Sequence, residues 1–198
     1  MIEFINISKD LPYIIFKKLY KEAYKANQNN IEAALVSSFS KENNEVDARF
    51  VNIKFIEDKK FIFFSNYNSP KALQFNSHNQ ISCVIFWSKI NTQIRIKANI
   101  YKSGEQFSNE YFFKRDKKKN ALAIASNQSN KISSYEDFIR IYNKTLREDD
   151  LTKRPEFWGG YYFQPYSFEF WKGQQSRLNQ RDKYELKKGE WAHSVLQP

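Results

Sequence analysis

Apolar and polar positions follow two periods along this chain, and the changes of period mark its elements. Leu11, Ile14, Ile15, Leu19 and Ala23 share one face of a 3.6-residue repeat, which predicts an amphipathic helix from Leu11 to Ala26. From Ile31 the period shortens to two. Ile31 to Phe39 reads as a first strand, and Arg49 to Ile56 as a second that pairs with Lys60 to Ser65 across Glu57-Asp58-Lys59. In Ser69-Pro70-Lys71 a capping serine precedes proline at the first helical position, so a helix is predicted from there to about His78. Ile81 to Trp87 is an apolar run expected to be a buried strand. Thr92 to Tyr101 alternates Ile94, Ile96, Ala98 and Ile100 with Gln93, Arg95, Lys97 and Asn99, a strand with one polar face.

The pattern then turns helical. Helices are predicted over Glu105 to Arg115 and, briefly, Ala121 to Ala125. Ser133-Ser134-Tyr135-Glu136 reads as a capping box that opens a helix to about Arg147. Beyond Arg154-Pro155, strands are predicted at Tyr161 to Pro165, Ser167 to Lys172 and Lys183 to Lys187. Consecutive strands with few crossovers predict an α+β fold, mainly β with flanking helices, whose antiparallel sheet is a closed or split barrel. There is no internal repeat and no long linker.

A chain of 198 residues fits one domain, and 18 Phe, 12 Tyr and 4 Trp can fill a core rich in strands. The formal net charge of +10 fits a solvated basic surface, a nucleic acid or a phosphorylated small ligand. Cys83 lies in an apolar run and reads as a buried strand cysteine. With it, His78 and His193 are too few for a structural zinc site, so no metal is expected. No signal peptide opens the chain and no apolar run reaches membrane-spanning length, so a soluble, cytoplasmic protein without a membrane partner is expected. The sequence lacks G-x-G-x-x-G and Walker motifs, Ser-His-Asp or Cys-His sets and paired carboxylates. If it is an enzyme, an organic cofactor carries the chemistry.

Several basic and polar residues could bind anions, although each taken alone also fits a solvated surface. Arg49 and Lys54 are five apart, which puts them on opposite faces of a regular strand. Lys71 stands in the first turn of a helix, where free N–H groups attract an anion. Gln128-Ser129 ends a polar patch. Tyr111 and Arg115 share a helix face and could clamp a phosphate. More specific are Phe157-Trp158-Gly159-Gly160-Tyr161, Glu169-Phe170-Trp171-Lys172-Gly173 and Arg177-Leu178-Asn179-Gln180-Arg181. A core asks neither for paired glycines after a tryptophan nor for arginines around a polar pair. A flat aromatic ligand carrying a phosphate would ask for both.

Taken together, in this order and spacing from about Ile31 to Pro198, these segments resemble the pyridoxamine 5'-phosphate oxidase family. The resemblance implies a six-stranded antiparallel split β-barrel of the FMN-binding type over residues 31–198, behind an N-terminal helical extension, 1–30. It implies a homodimer with FMN between the subunits. By the same resemblance Arg49, Lys71 and Ser129 hold the FMN phosphate, and Phe64, Ser65, Gln93, Gln128, Trp171 and Arg181 touch the rest of the cofactor. Lys54, Tyr111 and Arg115 grip the substrate phosphate, and Arg177 stands beside the reacting carbon. The implied reaction is oxidation of pyridoxamine or pyridoxine 5'-phosphate to pyridoxal 5'-phosphate by dioxygen, giving hydrogen peroxide.

Four positions depart from the family pattern. Pro70 replaces an arginine near the FMN phosphate, and Lys119 replaces a serine at the substrate phosphate, adding a cation there. Asn179 replaces a histidine over the substrate and Gln180 an aspartate. These departures leave open an FMN-binding relative with another substrate, such as a phenazine precursor, or a pyridoxal-phosphate binder with weak or no oxidase activity. A nucleic-acid partner would explain the charge but not the ordered motifs, so none is expected.

Overall fold

The computed structural model describes residues 1–198. Its elements are β1 (Glu3–Ile5), α1 (Leu11–Lys25), β2 (Ala33–Ser40), β3 (Glu45–Asn52), β4 (Phe55–Glu57), β5 (Lys60–Asn66), α2 (Pro70–Ser77), β6 (Gln80–Trp87), β7 (Thr92–Lys102), α3 (Glu105–Lys114), α4 (Lys117–Ala125), α5 (Tyr135–Glu148), β8 (Trp158–Lys172), β9 (Gln180–Lys187) and β10 (Glu190–Val195). The fold is α+β, with ten strands in one sheet where six were expected. Polar β10 pairs with β9, and short β1 pairs with β4. The alternating pattern marked neither.

The sheet runs β1-β4-β5-β8-β7-β6-β2-β3, antiparallel except for β1 against β4. β8 is its spine. Its first half, Trp158 to Phe163, pairs with β5, its second half, Ser167 to Lys172, with β9, and β7 runs beside both. Two strands were expected here, separated at Tyr166. They form one 15-residue strand with a bulge at that residue, because Lys97 faces Ser167 while Ala98 faces Pro165.

The strand expected from Arg49 to Ile56 is two strands. Ile53 N–H donates to the Glu32 carbonyl (2.9 Å), whereas Lys54 N–H donates to that of Ile62 (2.8 Å). The chain therefore leaves β2 at Ile53 and joins β5 at Lys54. Only β4, not the Arg49 segment, makes the hairpin with β5. This step links the two ends of the sheet covalently and curls it.

Three local expectations shift. Ser69 precedes α2, but its hydroxyl donates to the Asn66 carbonyl (2.7 Å) instead of capping the helix. The cap of α5 is Ser134, which accepts from Asp137 N–H (3.0 Å), one residue later than the Ser133–Glu136 box. β6 is buried on one face only: Ile81, Cys83, Ile85 and Trp87 point inward while Phe86 is 54% exposed. Burial pushes the Cys83 thiol up to about 12.

The paired glycines have a packing reason. A Cβ on Gly159 would overlap the Tyr67 hydroxyl, and one on Gly160 the Ser103 hydroxyl. The core of the curled sheet is aromatic and takes in α1. Phe16 meets Phe61 edge-on at 5.1 Å and Trp87 at 5.6 Å, and Tyr13 meets Phe168 at 5.2 Å. Residues 1–30 and 31–198 thus share one core. No helix is long and apolar enough to cross a membrane. Because Phe16 is fully buried, Phe16→Ala is expected to cost about 3–5 kcal/mol of stability, read by urea denaturation.

Candidate functional site

A cavity of about 590 Å³ opens where β3, β5, the start of α2, the end of α3 and the loop after α4 meet. Arg49, Lys54, Phe64, Ser65, Lys71, Tyr111, Arg115, Gln128 and Ser129 all line it. Arg49 and Lys54, five apart, share the cavity because the strand breaks between them. Four of the lining residues are cations and one, Asp47, is a carboxylate.

Lys71 is buried in the first turn of α2, and its Nζ donates to the Ser69 hydroxyl at 3.2 Å. Burial, and then the neighbouring Arg49, pull its ammonium down to about 8. Arg49 donates to the Ser38 hydroxyl (2.5 Å), the Gln74 amide oxygen (3.1 Å) and the Asp47 carboxylate. Burial also lowers Lys54, with Glu32 opposing and the charges of Lys119 and Arg115 adding to the fall. Arg115 is lowered by burial as well. It donates to the Lys119 carbonyl (2.7 Å) and the Asn120 amide oxygen (3.1 Å) and lies 5.0 Å over the Trp158 ring.

Apart from Arg49, these lining cations have no carboxylate partner within ion-pair distance. Buried cations without counter-charges are costly, and a bound anion removes the cost. The wall beside them is flat and aromatic. The Phe64 and Tyr111 rings stack 3.8 Å apart at 9°, and Trp158 lies parallel to Phe64 at 5.2 Å. Ser65 Oγ is buried without a partner. Ser129 sits at φ 71°, a left-handed conformation that serine rarely adopts, in a loop held by a bond from Asn66 to the Ser126 carbonyl (3.3 Å). This donor set fits a flat ligand bearing a phosphate, and so fits FMN.

The other sequence-derived residues lie elsewhere. Gln93 faces Trp171 across β7 and β8, and Trp171 faces Arg181 across β8 and β9, so the three form one row. Arg181 donates twice to Oε1 of buried Glu169 (3.0 and 2.8 Å), and Arg95 donates to Oε2 (3.1 Å). Arg177 is exposed in the β8–β9 turn at φ 61°. Asn179 Oδ1 accepts from Gln174 N–H in the same turn (3.0 Å). None of these five lines the cavity. Lys119 is exposed at the start of α4 and does not line it either, although its charge reaches Lys54. Ser126 of the polar patch and Trp158 of the tryptophan–glycine motif also line the cavity, as do Asp47 and Asn66, which no motif marked. Asp47 could have been found, being two residues before Arg49 and so on the same strand face.

Residues 20–148 match the family described as pyridoxamine 5'-phosphate oxidase, and residues 158–198 match the pyridoxine 5'-phosphate oxidase C-terminal dimerisation region. A pyridoxine/pyridoxamine 5'-phosphate oxidase of Rhodopirellula baltica is 32% identical over 200 residues, covering 98% of this chain and 90% of that protein. Among solved structures, PhzG from Burkholderia lata 383, in complex with tetrahydrophenazine-1-carboxylic acid, superposes with a TM-score of 0.89 at 24% identity. That match covers 94% of this chain and 92% of the other. A pyridoxamine 5'-phosphate oxidase-related, FMN binding protein of Nostoc punctiforme gives 0.75 at 12% identity, over 92% and 97%. At these identities the two structures speak for the fold.

The position of Lys71 gives a pH dependence. An anion binds the protonated lysine, which is lost as pH rises through about 8. Affinity for a phosphate monoester, already dianionic at about pH 7, is expected to hold to that point. It then falls by up to tenfold per unit. Calorimetric titration checks this, and Lys71→Met should remove the fall.

Proposed function

Because the chain belongs to the pyridoxamine 5'-phosphate oxidase family, we propose that the cavity is one protomer's half of an FMN site and that the enzyme oxidises pyridoxamine or pyridoxine 5'-phosphate to pyridoxal 5'-phosphate. The chain is an FMN-dependent oxidoreductase of that family. The observation that carries the substrate assignment is the grouping of the cations. Arg49 acts on Lys71, while Arg115 and Lys119 act on Lys54. Two pairs of cations lining one cavity, Arg49 with Lys71 and Arg115 with Lys54, suit two phosphates, one on the cofactor and one on the substrate.

In this reading Arg49, Lys71 and Ser129 hold the cofactor phosphate. Phe64, Ser65 and Gln128 lie against the remainder of FMN. Bound FMN supplies the hydride acceptor, and dioxygen carries the electrons off as hydrogen peroxide. Lys54 and Arg115 take the substrate phosphate, and Lys119, outside the cavity lining, adds its charge. Burial raises the Tyr111 phenol, so its hydroxyl stays protonated and can donate to that phosphate. Fixing both phosphates holds the reacting carbon at one distance and angle, and such orientation is worth orders of magnitude in rate.

Gln93, Trp171, Arg181, Arg177 and Asn179 belong to the other half of the site in this reading. Four of the five fall in the region that matches the dimerisation family. Edge strand β3 also leaves Val46 and Phe50 more than 70% exposed, and Phe50 lines the cavity. We assign these features to a homodimer in which the second protomer's β7–β8–β9 row covers the first protomer's cavity.

A second reading keeps FMN and changes the substrate. It rests on Asn179, an amide that cannot titrate and whose oxygen is engaged by Gln174 N–H. Anaerobic addition of pyridoxamine 5'-phosphate to the FMN-loaded enzyme separates the two. The flavin's visible absorption should bleach, and air should restore it with release of peroxide. Flavin that stays oxidised would favour another substrate or a pyridoxal-phosphate binder.

Two variants test the residue assignments. Arg177→Ala is expected to lose roughly a hundredfold in turnover while keeping its flavin. Co-expressed with Lys71→Met, it should recover about a quarter of wild-type activity, since half the dimers would carry one intact site. Without recovery, the two residues do not act across subunits.

A further inference from the structure

Asp47 is the one acidic residue in an otherwise cationic cavity, and it pairs with the arginine assigned to the cofactor phosphate. It stands two residues before Arg49 on edge strand β3, with 56% of its side chain exposed against 20% for Arg49. The orientation of Arg49 does not need it. On its buried side the guanidinium is held by the Val36 carbonyl (3.4 Å), the Ser38 hydroxyl (2.5 Å) and the Gln74 amide oxygen (3.1 Å). Ser38 is itself 2% exposed and donates to the same Gln74 oxygen, so this side of the cradle is fixed.

Asp47 therefore occupies the open side of the guanidinium, toward the cavity. Its charge also acts on Lys71, where it opposes the effects of burial and Arg49. One carboxylate thus compensates both cations of the phosphate subsite. Resting on the reading of this cavity as an FMN site, we propose that Asp47 is an internal stand-in for the cofactor phosphate, an affinity-setting residue that the phosphate displaces from Arg49. Ser38 and Gln74 are the positioning residues that keep Arg49 aimed when the exchange occurs.

A phosphate dianion entering this subsite must break the Asp47–Arg49 pair and accept a nearby negative charge. Both effects weaken binding, and both act on the phosphate alone. The isoalloxazine ring and ribityl chain do not meet Asp47 in this reading, so riboflavin serves as a control that differs only by the phosphate.

The test is titration of flavin-free protein with FMN and with riboflavin, followed by quenching of flavin fluorescence. Asp47→Asn and Asp47→Ala are each expected to tighten FMN by roughly threefold to thirtyfold. The gain should shrink as salt is added, and riboflavin affinity should not change. Unchanged or weaker FMN binding in both variants would overturn the proposal, as would an equal gain for riboflavin. Arg49→Ala keeps the underlying reading separate. If it binds FMN as tightly as wild type, or if wild type does not prefer FMN to riboflavin, the phosphate subsite itself is wrong. If wild type prefers FMN, Arg49→Ala loses that preference and the Asp47 variants gain nothing, only the role of Asp47 falls.

Discussion

The geometry of the cavity depends on a change of hydrogen-bond partner between two adjacent residues. Ile53 is bonded toward β2 and Lys54 toward β5. A continuous strand would have kept Arg49 and Lys54 on opposite faces of one sheet. Stepping from one end of the sheet order to the other brings both into one concave surface, with β5 as its floor. Ile53 is fully buried, so the step is anchored by packing as well as by its two amide bonds. The aromatic core under β5 and β8 gives the curled sheet a stiff interior.

On that frame the protein holds cations where water is scarce. Three of the four lining cations are held by neutral groups: Ser69 for Lys71, Ser38 and Gln74 for Arg49 (which also pairs with Asp47), Asn120 and a backbone carbonyl for Arg115. Asn120 is fully buried and also donates to the carbonyls of Phe112 and Leu151 at 2.8 and 2.9 Å, tying α3, α4 and the chain beyond α5 together beside Arg115. Neutral partners orient a charge without cancelling it. Such a surface is ready for anions before they arrive, and little reorganisation remains when they bind.

Much of this was legible in the sequence, and the remainder was hidden for physical reasons. The alternation of β7 gave both its extent and its buried face, because a half-buried strand must follow the pleat. Nine of the residues that the family resemblance implied line one cavity. The strand break at Ile53 left no mark, since β-prone residues (Phe50, Val51, Ile53, Phe55 and Ile56) run across it and only tertiary pairing divides the two segments. The α5 cap moved by one residue because adjacent serines offer two registers. The glycines after Trp158 signalled a ligand in the sequence, yet the structure shows them making room for Tyr67 and Ser103. The division of the expected residues between a cavity and a distant row is a property of pairing across strands far apart in sequence, which no local pattern carries.

The central position of β8 has a consequence for how the polypeptide matures. Residues 158–172 neighbour β5, β7 and β9, yet they leave the ribosome after more than three-quarters of the chain. Until then the growing chain has its early hairpins and helices but lacks the strand that joins them. The aromatic face of α1 has no finished interior to enter. Contacts of such long range make assembly slow and leave apolar surface waiting. The nascent chain is thus the stage at which this molecule most needs shelter from self-association.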